Sequence, residues 1–321
     1  MAAELGTAAS RGSVRKGGKR SRRRRIKLSP LVHLFALPAI LLYGMFVIYP
    51  IIVTLLNSVF TFRGIRRESF AGLDNFIQLL TTQPLQGRII NALGNNLAMF
   101  VGGMAATFFA FVIAALLHHL TVGREFFKAA FFLPRLLSLI VVGFLWQLIL
   151  SPNSGALNAM LGAVGLDPLQ HAWLATPRSA LLAVIIVGGW HSIGFAILVF
   201  LASMQAIPRS TFEAARLDGA SPLHVMFRIT MPLTKASWMI LTVLAFIGAF
   251  ETFDLVYAMQ GASGAPYYGT DTLGLLFYRL AFGTEGGSAA IGLGSALAFV
   301  MLVIMAAASL FTLRLFRLGK D

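Results

Sequence analysis

A carboxylate inside a hydrocarbon layer is costly enough to require a reason. This sequence places two of them, Glu251 and Asp254, in the apolar stretch from Ser237 to Met259. Their three-residue spacing puts them on one face of a helix, with Phe250 and Tyr257 near that face. Carboxylates accept hydrogen bonds from hydroxyls, and aromatic faces pack on apolar ring faces. The set therefore suits a hydroxyl-rich solute such as a sugar. The competing reading is a polar clamp between helices, or carboxylates kept wet near an interface. Trp190 and His191, followed by Ser192, and the pair Asn95 and Asn96 are the other pathway candidates. No second His stands at metal-ligand spacing and the chain has no Cys, so no metal site is expected. H-E-x-x-H, G-x-S-x-G and G-x-x-x-x-G-K-[ST] are all absent. The chain is expected not to be an enzyme and not to hydrolyse ATP through the usual phosphate-binding loop.

Such residues need elements to hold them, and composition says which. Of 321 residues, 57% are hydrophobic and 12% charged, with a mean hydropathy of +0.79. A water-soluble domain carries about 25% charged residues, so most of this surface must face lipid. Six stretches reach the roughly 20 helical residues that cross a bilayer: Leu31–Phe60, Leu93–Leu120, Phe126–Leu150, Ala180–Met204, Ser237–Met259 and Ile291–Phe316. Pro38, Pro50 and Pro134 predict kinks or shifted ends. Small residues recur in "GGMAATFFA" from Gly102, "GGWHSIG" from Gly188 and "GLGSALA" from Gly292, where they let helix backbones approach closely.

The net charge of +14 is not a nucleic-acid footprint once it is located: ten of the 26 Lys and Arg lie between Arg11 and Lys27. That tail, residues 1–29, reads as a cytoplasmic anchor preceding a membrane domain over residues 30–318. With the N-terminus inside, 20 of the 26 basic residues fall on inner segments, among them Arg124, Lys128, Arg135, Arg209 and Arg216. Arg63, Arg66, Arg67, Arg88, Arg178 and Arg279 are left outside. Both termini are thus expected in the cytoplasm.

Between the fourth and fifth spans lies "IPRSTFEAARLDGASPLHVMFRITMPL", residues 207–233. Ser210 and Glu213 have capping-box spacing, Gly219 stands where a helix end favours a left-handed residue, and Ser221-Pro222 restarts a helix. Pro232 marks the next break. The pattern specifies helix, glycine turn, helix. On spacing alone it is either an interfacial linker or a knob that transmits force to something in the cytoplasm.

The stretch resembles the EAA motif of permease subunits of binding-protein-dependent ABC importers: Glu213, Ala214, Ala215, Gly219, Ile229 and Pro232 match, and Met231 replaces the usual Leu. Asp218 and "LASMQAIP" (Leu201–Pro208) are similar to the carbohydrate-uptake branch, of maltose and glycerol-phosphate transporter type. So are "FAGLDNF" (Phe70–Phe76), Asn95-Asn96, "FFLP" (Phe131–Pro134), Trp146, "GALNAML" (Gly155–Leu161), Trp190 and "FDLVYAM" (Phe253–Met259). The loop "QGASGAPYYGTDT" departs from the branch pattern. The resemblance implies an all-α type I importer permease in a bacterial inner membrane, with six transmembrane helices and a cytoplasmic coupling loop. It implies a second, different permease subunit, a solute-binding protein, and separate ATPase subunits that use ATP-Mg, with no cofactor on this chain. It further implies that Glu213 engages a basic residue of the ATPase, that Ala214 and Ala215 keep the helix thin, and that Gly219 forms the elbow. The alternative function is an ion-coupled secondary transporter with Glu251 and Asp254 as relay groups; it leaves the elbow unexplained, and the spans have no obvious internal repeat.

Overall fold

The computed structural model describes residues 30–120, 122–152, 154–283 and 290–318. The basic tail and Lys320 lie outside them. The chain divides into two compact units, residues 1–50 and 51–321. In the first, α1 (Pro30–Tyr43) runs through a π turn, Gly44–Ile48, into the helix that continues as α2 (Tyr49–Asn57). Proline lacks an amide and its ring clashes with the carbonyl four residues back. The wider π turn ahead of Pro50 accommodates it, with the Tyr49 amide bonded to the Gly44 carbonyl. The helix therefore stays long enough to cross a bilayer over Phe35–Asn57.

The second unit opens with a hairpin absent from the all-α expectation: β1 (Phe60–Arg63) pairs antiparallel with β2 (Arg66–Phe70). It leads to α3 (Asp74–Thr81) and then α4 (Leu85–His119), 35 residues long, which begins well before the expected Leu93. The third span is not one helix. α5 (Arg124–Phe132) and a 3-10 turn at Leu133–Leu136 meet α6 (Leu139–Ile149) at 96°. Pro134 removes an amide at the break, and Leu137 and Ser138 are extended. Then come α7 (Ala156–Ala163) and the long α8 (Pro177–Gln205), whose N-cap Thr176 accepts from the Ser179 amide. α9 (Arg209–Leu217), α10 (Pro222–His224), a π turn at Val225–Thr230 and α11 (Met231–Leu233) form the segment before α12 (Lys235–Glu251). Pro232 is absorbed as Pro50 is, by a π turn just ahead of it, so the 72° bend falls two residues later at Thr234.

The fifth span is also divided: α12 ends at Glu251 and α13 (Asp254–Gln260) begins three residues on. A short apolar helix, α14 (Leu273–Phe282), precedes α15 (Ile291–Leu318). Among the described residues, four helices are long and apolar enough to cross a membrane, or up to six spans if each bent pair counts as one.

The glycine-rich stretches bring backbones together. A Cβ on Gly102 would meet Ile185 Cγ2 at 2.2 Å, one on Gly189 would meet Ala106 Cβ at 3.3 Å, and one on Gly292 would meet the Phe60 carbonyl oxygen at 2.4 Å. Two apolar clusters result. One gathers Val142, Val184, Phe250, Val256, Leu273 and Leu297; the other stacks Phe111, Phe200 and Trp238, with Phe200 and Trp238 ring centroids 4.9 Å apart.

Candidate functional site: a polar cavity and an exposed elbow

A cavity of about 530 Å³ opens where both clusters thin out, walled by Met99 and Val184 of one and Ala196 and Leu241 of the other. That volume falls in the range of small-molecule sites, ~300–1,000 Å³. Its polar lining is Thr107, Arg135, His191, Ser192, Glu251, Thr252 and Asp254.

The break in the fifth span creates this lining. Ending a helix frees carbonyls, which inside a membrane protein must find donors. Thr252 Oγ1 donates to the Gly248 carbonyl at 2.6 Å, Asn96 Nδ2 to Ala249 at 2.5 Å, and Thr272 Oγ1 to Thr252 at 2.7 Å. Glu251 and Asp254 consequently do not share one helix face as expected. One ends α12 and the other starts α13, yet both are exposed and both line the cavity. Asp254, in the first turn of α13, gains from the positive end of that helix.

The break in the third span is satisfied in the same manner. His191 is buried in α8 and its Nε2 lies 3.1 Å from the Leu137 carbonyl oxygen. A carbonyl only accepts, so Nε2 carries the hydrogen. Nδ1 is then free to accept from Arg135 Nη1, 3.4 Å away. His191 therefore fixes both the broken backbone and the orientation of a guanidinium at the cavity wall.

Other sequence candidates lie elsewhere. Asn95 Nδ2 donates to the Asp271 carbonyl at 2.8 Å, and Asn96 Oδ1 accepts from the Leu273 amide at 3.0 Å. Both asparagines are buried clamps outside the cavity lining. Trp190 packs edge-on against Trp146, and Tyr257 joins Phe253 and Tyr278 in an aromatic group beside the cavity. Phe250 is buried on Phe246. Arg135, which charge counting alone leaves among the inner basic residues, has one local signal, a lone charge inside the apolar run "FFLPRLL". Arg279 belongs by sequence position among the outer-loop charges. The structure buries Arg279 on Asp271 and on the Ala262 carbonyl, 2.8 Å away.

Outside the cavity stands the elbow. Gly219 adopts φ +73°, and a Cβ there would meet nothing within 4 Å, so conformation and not space demands glycine. The Ala220 amide closes the helix end on the Ala215 carbonyl at 2.9 Å. Ser221 caps the next helix, accepting from the His224 amide at 3.3 Å with Pro222 in the first turn. The Ser210–Glu213 capping box does not form: extended Pro208 starts the helix at Arg209, which puts Ser210 inside the first turn and leaves no side-chain cap. Ala215 packs inward, whereas Glu213, Ala214 and Asp218 are exposed. Leu217 and Leu223, on either side of the glycine, are 89% and 66% exposed. Ile229 is half-buried in the π turn, and Pro232 is exposed.

Residues 106–318 match the family described as binding-protein-dependent transport system inner membrane component. The chain is similar to the probable ABC transporter permease protein YurN of Bacillus subtilis, at 34% identity over 90% of this chain and 97% of the relative. It is similar to the trehalose/maltose transport system permease protein MalF of Thermococcus litoralis, at 29% identity over 91% and 95%. A chain of a bacterial ABC transporter involved in the import of the acidic polysaccharide alginate shares the fold, with a TM-score of 0.75, 23% identity, and coverage of 91% of this chain and 96% of that one.

Proposed function

Because the chain belongs to the family of binding-protein-dependent transport system inner membrane components, we propose that it is the membrane-spanning permease subunit of an ATP-driven importer for a sugar, oligosaccharide or related polyol. The observation that carries this reading is the elbow: a left-handed glycine between two helices that leaves Leu217 and Leu223 uncovered. Apolar side chains held out on a shaped knob suit insertion into a groove of another protein. The partner is a cytoplasmic ATPase that consumes ATP-Mg, with Glu213, Ala214, Asp218 and Gly219 at the contact. Residues 207–233 act as the coupling loop of a permease domain over 30–318, with the basic tail 1–29 and both termini on the cytoplasmic side. A second, different permease completes the pathway and an extracytoplasmic binding protein delivers solute. This chain itself performs no hydrolysis.

The solute class is supported by the sugars named for the Thermococcus relative and by the cavity, where Glu251, Asp254, Ser192 and Thr252 offer hydrogen bonds to hydroxyls. The test is maltose or trehalose uptake into proteoliposomes holding the assembled transporter, with a protonophore arm and a Glu251→Ala arm. Uptake is expected to require ATP, to ignore the protonophore, and to show a KM raised about tenfold in the variant, as for loss of one or two charge-assisted hydrogen bonds. Protonophore-sensitive uptake without ATP would replace this reading with ion coupling; an unchanged KM would remove Glu251 from the pathway.

A further inference from the structure

A second concavity, about 560 Å³, lies between the end of α4, the start of α5 and the first residue of α9. His118 and His119 come from α4, Arg124 from the first position of α5, and Arg209 from α9. Nε and Nη2 of Arg124 and Nδ1 of His118 are buried with no hydrogen-bond partner among the described residues. A buried polar group left unpaired loses its hydration with nothing to replace it, the more so when charged, so groups of this kind call for a reason. The carboxylate that lines the same concavity does not supply one. Glu125 also lines the concavity, but it is held by Lys128 Nζ at 2.7 Å.

The geometry points to a binding site for a phosphoryl anion. Two arginines from different elements and two histidines line a space large enough for a multi-oxygen anion, and the guanidinium fork matches phosphate oxygens. Leu120 and Phe126, apolar and exposed, form the rim. That rim suits a lipid whose headgroup enters the pocket, although inorganic phosphate offers the same oxygens. Occupation has a structural consequence. The His118 ring lies 5.4 Å from His119 and 5.8 Å from Phe212 of α9, so an anion shared by Arg124 and Arg209 ties the start of α5 to the helix that leads into the elbow. The site stands whichever solute crosses the membrane.

Two binding measurements on the full chain in nanodiscs test this. In the first, phosphatidylglycerol retention is read by native mass spectrometry after release from discs of equal phosphatidylglycerol and phosphatidylcholine. In the second, radiolabelled inorganic phosphate is titrated onto chain in phosphatidylcholine discs. Saturable binding of one anion is expected in at least one arm, and Arg124→Gln with Arg209→Gln should weaken it at least about tenfold. Arg178→Gln, which removes one such charge at the start of α8, should leave it unchanged. Retention in the lipid arm alone identifies a headgroup, and binding in the second arm identifies the free anion. Should the double variant not fold, Arg209→Gln and His119→Asn, both at exposed positions, are each expected to weaken binding on their own. Binding by wild type in neither arm, or equal binding by the variants, overturns the site.

Discussion

Gly219→Val is expected to lower ATP-driven uptake by at least about tenfold while Gly219→Asn retains most of it. The space at Gly219 is open, so neither side chain collides with anything. What differs is the backbone. At φ +73° an L residue pays about 1–2 kcal/mol, Asn pays least, and a β-branched residue is a true outlier. The strain is relieved by turning φ negative, which re-aims α9 against α10 and moves Leu217 away from Leu223. Membrane insertion involves neither residue, so the amount of chain in the membrane should be equal for both variants. Equal transport by the Val and Asn variants would show that the left-handed turn is not what positions the knob.

The second large effect is on folding. In Gly194→Ala, the added Cβ would sit 2.0 Å from the Phe131 carbonyl oxygen, 2.6 Å from the Phe131 carbonyl carbon and 2.8 Å from Phe132 Cα. These are backbone atoms of α5, beside the break that His191 secures through Leu137, so no flexible side chain can yield. Overpacking of this kind costs about 1–3 kcal/mol, and more where the neighbour is rigid. The expected result is a clear fall in thermal midpoint and in the yield of monodisperse protein. Gly94→Ala is the opposite case. Its Cβ would meet nothing within 4 Å inside α4, and replacing Gly by Ala in a helix interior gains about 0.5–1 kcal/mol. A thermal melt of both variants checks the pair; a Gly194→Ala protein as stable as wild type would mean that α5 and α8 can separate freely.

The long apolar runs and the elbow were legible because their signals are local: hydropathy over one helix, or Gly219 followed by Ser221-Pro222. The helix breaks were not. Pro134 announced a kink, but the 96° turn is stable because His191, far along the chain, meets the Leu137 carbonyl. The division after Glu251 has no proline at all; it depends on Asn96 and Thr272 reaching the carbonyls of Ala249 and Thr252. The same long-range pairing moved Asn95 and Asn96 from the pathway to the frame, while Arg135 entered the cavity through its contact with His191. The capping box failed for a local reason, since Pro208 sets the helix start one residue before Ser210. Buried Arg279 has its partner Asp271 only eight residues away, yet loop charges are ordinarily exposed, and nothing in the spacing marked this one for burial.

The central claim is that the elbow seats in a separate ATP-binding subunit. The chain has no cysteine, so Leu217→Cys gives a single thiol at a position of the knob that is 89% exposed. Attaching a short photo-crosslinker there in native membranes, irradiating, and identifying the product by mass spectrometry tests the claim directly. The account predicts one dominant adduct between this chain and an ATP-binding subunit, lost when Gly219→Val is present in the same molecule. Adducts with lipid alone, at undiminished transport, would contradict it and return residues 207–233 to the role of an interfacial linker.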